Sequence, residues 1–77
     1  MNQPDETVRL VVEQLKEIRK KQGLSHETVA TRVKLNRSAI SLIEAGKRQP
    51  TLLTCLKIAQ ALDVELGALI TKASGKR

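Results

Sequence analysis

The chain contains no phenylalanine, tyrosine or tryptophan. Modules that bind single-stranded nucleic acid take much of their affinity from bases stacked on aromatic rings, so that class is disfavoured. A core without rings has to be built from Leu, Ile, Val and Ala, and helices tolerate this better than sandwiches do. The single cysteine, Cys55, cannot form an internal disulfide and points to a reducing compartment. No apolar run approaches membrane length and no signal-like segment follows Met1. The cytoplasm is therefore the expected location, or the nucleoid in a bacterium, with no membrane partner. Acidic residues are also scarce: 8 Asp and Glu face 14 Lys and Arg, for a net charge of +6. Such an excess either solubilises a surface or attracts a polyanion, and duplex DNA is the commonest specific one.

The chain lacks a catalytic constellation as well. Its one histidine and one cysteine fall in different helical segments, its carboxylates lie mostly on solvated faces, and no phosphate loop or metal-ligand spacing occurs. An enzyme is not expected, and neither is a cofactor, metal or small-molecule ligand. Repeats, low complexity and linkers are absent too. The 77 residues read as one domain with an ordered core over about 6–72 and flexible ends at 1–4 and 74–77.

What is present is helical periodicity with stop signals. Asp5 is a candidate cap for a long first helix, with Val8, Val11, Val12, Leu15, Ile18 and Gln22 on one face and Gly23 ending it. Ser25 stands at the N-cap of a second helix carrying Val29, Ala30 and Val33 inward, and Asn36 caps a third with Ile40 and Ile43 inward. Only Lys34 and Leu35 separate these two, which demands a tight corner. Small Ala30 lets the axes approach at the point where Ile40 is buried. This is the pattern of a helix-turn-helix, whose second helix enters the major groove of DNA. Thr51 caps a fourth helix with Leu52, Cys55, Ile58, Ala59 and Leu62 as its stripe, Cys55 being a small core residue. A fifth covers roughly 65–72 and buries Leu66 with Leu69 or Ile70. The expected fold is all-α, a compact five-helix bundle.

Fragments spread over about residues 11–70 carry a resemblance: Leu15, Ile18-Arg19, Gly23-Leu24-Ser25, Val29-Ala30, Ile40-Ser41, Ile43-Glu44, Gly46, Pro50, Ile58-Ala59, Leu62 and Val64. In this order and spacing the chain resembles the Cro/repressor-type (XRE-like) helix-turn-helix family, with its lambda-repressor-like fold. Small stand-alone members resemble controller proteins of restriction–modification systems and small phage-like repressors. The resemblance implies a homodimer on two-fold operator DNA, repressing or activating transcription, and a partly buried ion pair between Arg19 and Glu44. Two positions depart from the family pattern. Lys34 replaces a frequent glycine in the turn, and His26 replaces a frequent glutamine.

Arg37 opens the third helix, where a guanidinium can donate two hydrogen bonds to guanine or hold a phosphate. Ser38 reaches either a base edge or a phosphate. Leu42 is placed to lie against a thymine methyl, or is an ordinary exposed leucine. Ser41 is expected on the backbone, as are Ser25 and His26 at the start of the second helix, with the His26 contact strengthening as imidazole protonates. By resemblance, Lys47 and Arg48 run beside the DNA backbone and supply affinity rather than specificity. Leu53, Leu56, Leu66, Leu69 and Ile70 are the candidate dimer contacts, because the two C-terminal helices carry more leucine and isoleucine than one bundle face can bury. The alternative function is an antitoxin of the same fold, binding a toxin protein as well as DNA.

Overall fold

The computed structural model describes residues 3–75. Five helices follow one another: α1 (Pro4–Lys21), α2 (His26–Val33), α3 (Arg37–Glu44), α4 (Leu52–Ala61) and α5 (Leu66–Ala73), with no strand among the described residues. The expected all-α five-helix architecture is the one observed. Asp5, however, does not cap α1. Gln3 is the N-cap and Pro4 the first helical residue, so the helix begins within the supposed flexible lead. Proline has a helical φ built in and lacks the N–H that the first turn would leave unpaired. Asp5 and Glu6 then occupy the positive end of α1, while Arg19, Lys20 and Lys21 occupy its negative end. At the other end, Ser74 closes α5 rather than fraying. Its N–H bonds Ile70 O and its hydroxyl donates to Thr71 O, both at 2.9 Å. Residues 1, 2, 76 and 77, the rest of the expected flexible ends, lie outside the described residues.

Ser25, Asn36 and Thr51 each accept a hydrogen bond from the backbone N–H three residues ahead, which starts α2, α3 and α4 where they begin. Four helices end alike, with a left-handed residue followed by an N–H that reaches back five residues. The left-handed positions are Gly23, Lys34, Gly46 and Asp63, and the closing bonds run to Arg19 O, Ala30 O, Leu42 O and Ala59 O. Lys34 thus adopts the φ of 60° that glycine would take without strain.

The core gathers Val11, Val12 and Leu15 from α1, Val29 and Ala30 from α2, and Ile40 and Ile43 from α3. Cys55, Ile58 and Ala59 join from α4 with Leu62 from its C-cap, and Leu66 and Ala73 from α5. Val29, Ile40 and Leu62 are the largest side chains fully withdrawn from solvent. Polar side chains stitch the layers together: Gln14 Nε2 donates to Leu69 O, Gln22 Nε2 to Leu62 O and Arg32 Nη1 to Ala61 O. The stripe of α4 is shorter than its spacing predicts. Leu52 is 66% exposed, because it lies at the helix start, beyond the reach of the other helices. Cys55 is buried, and burial pushes its thiol up from the ordinary value, which suppresses the reactive thiolate.

Candidate nucleic-acid interface

Asn36 Oδ1 accepts from Ala39 N–H at 2.8 Å, which fixes where α3 starts and therefore which side chains face out. With Ala39, Ile40 and Ile43 turned into the core, Arg37, Ser38, Ser41 and Leu42 share the solvent face. Together with His26 they line one open concavity between α3 and the first turn of α2. Leu42 is 41% exposed in the middle of this polar face, with no cover from its own chain. Beyond α3, the left-handed turn at Gly46 and the Lys47 N–H bond to Leu42 O carry Lys47 and Arg48 back past the helix end, both exposed. A side chain at Gly46 would be strained by its φ of 76°, so this turn depends on glycine.

The angle of α3 is held by one carboxylate. Glu44 Oε2 accepts from Arg19 Nε at 2.7 Å, and Oε1 accepts from Arg19 Nη2 at 2.9 Å. Arg19 Nη1 also donates to Leu24 O at 2.6 Å, tying the last turn of α1 to the segment that enters α2. Both charged side chains are largely buried, at 13% and 12% exposure. A third partner was not legible in the sequence: His26 Nε2 lies 2.9 Å from Glu44 Oε1. Burial pushes the Glu44 carboxyl up, but hydrogen bonds and charges from Arg19 and His26 outweigh it and hold the carboxyl below its ordinary value.

This geometry narrows the roles expected at the start of α2. The Ser25 hydroxyl is occupied as a cap by Thr28 N–H and by the Thr28 hydroxyl, and one ring nitrogen of His26 is committed to Glu44. Backbone N–H groups of the first turn remain, as at any helix start, available to an anion. Among the dimer candidates, Leu53, Leu56 and Ile70 are exposed and Leu69 is half-buried. Leu66 is removed from that set, since its side chain packs into the core of its own chain. Leu52 takes its place on the surface beside Leu53. Among the described residues no cluster of His, Cys, Asp and Glu is arranged to hold a metal, and no helix is long and apolar enough to cross a membrane.

The helix-turn-helix family model matches residues 15–69, which includes every helix of this interface. The chain belongs to that family. It is a DNA-binding helix-turn-helix transcriptional regulator of the XRE or Cro-like type, a class of regulators rather than of enzymes. An uncharacterized HTH-type transcriptional regulator of Sinorhizobium fredii, y4dJ, is 35% identical over 63 residues, 82% of this chain and 82% of its own. A second, YqaE of Bacillus subtilis, is 32% identical over 65 residues, 84% of this chain and 56% of its own. Among solved structures, the restriction-modification controller protein C.AhdI from Aeromonas hydrophila superposes with a TM-score of 0.74 at 38% identity. The superposition covers 84% of this helix-turn-helix chain and 97% of that one.

Proposed function

We propose that this regulator binds a two-fold symmetric operator as a homodimer, with α3 in the major groove of each half-site. The exposed face of α3 carries this reading: a guanidinium, two hydroxyls and a bare leucine stand together on a helix whose opposite side is locked to the core. Arg37 pairs with a guanine edge, Ser38 with a neighbouring base or its phosphate, and Leu42 with a thymine methyl. Ser41, Lys47, Arg48 and the first turn of α2 at Ser25 and His26 hold the backbone on either side. The net charge of +6 supplies long-range attraction.

One recognition helix reads too few base pairs for useful specificity, so a second copy is required. Leu52, Leu53 and Leu56 share a face of α4 by their spacing, and Ile70 is exposed on α5. These side chains form the surface that a second copy covers, with Leu69 at its edge. The likeness to a restriction–modification controller protein supports a regulator of this kind. Selection of bound sites from random duplex DNA tests the reading. A symmetric consensus with half-sites about one helical turn apart is expected, and a consistently asymmetric site bound by monomer would refute it.

A further inference from the structure

Glu44 Oε1 accepts from Arg19 Nη2 and lies equally close to His26 Nε2, both at 2.9 Å. An ionised carboxylate only accepts hydrogen bonds, so Nε2 carries the hydrogen of this contact. In a neutral imidazole that arrangement leaves Nδ1 as a bare lone pair. Nδ1 has no hydrogen-bond partner within the described residues, and the ring is 31% exposed on the concave surface shared with Arg37, Ser38, Ser41 and Leu42. A DNA phosphate is also an acceptor, so the neutral ring offers it nothing. Protonation puts a donor on Nδ1 and a positive charge on the ring while Nε2 stays on Glu44.

We propose that His26 is a proton-operated DNA contact whose tautomer is locked by Glu44, joining the phosphate backbone only as imidazolium, so that operator affinity rises as pH falls. This rests on the reading of α3 as the recognition helix. The charged groups that bear on the ring are Glu44 and Arg37 from α3 and, through Glu44, Arg19 from α1. An arriving phosphate adds a new negative charge to this set, and the complex takes up a proton by linkage. Imidazole is the side chain that ordinarily changes charge between about pH 5 and 8. The chain has a single histidine, so the effect is assignable.

The test measures affinity for the selected operator duplex at pH 8 and pH 6, at fixed ionic strength, for the wild type and for His26→Gln. Glutamine keeps an N–H donor for Glu44 but cannot take a proton. The wild type is expected to bind roughly five- to tenfold tighter at the lower pH, and His26→Gln to lose that dependence. Proton uptake on binding, read by calorimetry of the wild type in buffers of different ionisation enthalpy, makes the test independent of how the variant folds. Nitrogen NMR of the free protein should show the Nε2–H tautomer at high pH. An Nδ1–H tautomer, equal pH slopes in the two proteins or zero proton uptake each overturn the proposal. Absence of binding to any duplex at either pH overturns the DNA reading itself, which the tautomer measurement does not depend on.

Discussion

Arg19 and Glu44 face each other across 25 residues of sequence with two parallel hydrogen bonds of 2.7 and 2.9 Å, so the end of α3 is clamped to the end of α1. Removing Glu44 leaves the largely buried Arg19 guanidinium without its counterion. Glu44→Ala is expected to cost about 3–5 kcal/mol, a large part of the stability of so small a domain. Urea denaturation checks it, and a loss under about 1 kcal/mol would show that the pair is effectively solvated.

Acid should act on the same link. The Glu44 carboxyl is held below its ordinary value of 4.5 in the folded chain. Its contribution is therefore complete above that value and is lost as pH falls through the lower folded value. Glu44→Gln, although less stable at neutral pH, should lose less stability than the wild type between about pH 5 and 3. Parallel curves of stability against pH would contradict this.

Base reading and backbone attachment separate by mutation. Arg37→Ala should weaken operator binding by roughly 1–3 kcal/mol and relax preference at one base pair per half-site. Lys47→Ala should weaken operator and random DNA alike, with a shallower salt dependence. Equal losses on both DNAs for Arg37→Ala would make it a phosphate contact.

The apolar face of α4 predicts the assembly. Leu53 is 62% and Leu56 49% exposed. Replacing both with Glu leaves the core untouched and puts carboxylates into the proposed contact, so folded monomers are expected by sedimentation. A double variant that dimerises with wild-type affinity would move the interface elsewhere, for instance to α1 around Leu10.

Lys34 carries a local strain that glycine relieves. A left-handed non-glycine residue costs about 1–2 kcal/mol, partly offset by the greater freedom of glycine in the unfolded chain. Lys34→Gly should raise Tm by a few degrees, on the order of 2–6 °C. An unchanged or lower Tm would mean that the side chain makes compensating contacts.

The existence of the five helices and most of their caps could be read from the sequence, because those signals are local. Ser25, Asn36 and Thr51 each bond within one turn of themselves, and Gly23 ends α1 through its own φ. The same locality explains why Ala39, Ile40 and Ile43 turn inward and leave Arg37, Ser38, Ser41 and Leu42 outside. Spacing identifies residues that share a face, but not how far along that face another helix reaches. Leu52 and Cys55 lie three residues apart on one stripe, yet only Cys55 is covered, since the packing of α4 against its neighbours stops short of its first turn. Leu66, Leu69 and Ile70 on α5 are likewise divided among core, edge and surface by where α1 and α4 lie. The bond between His26 and Glu44 joins the first residue of α2 to the last of α3, 18 positions apart. No local pattern encodes that contact, because the distance between those two helix ends is set only when α2 packs against α3 and α4 while α3 packs against α1.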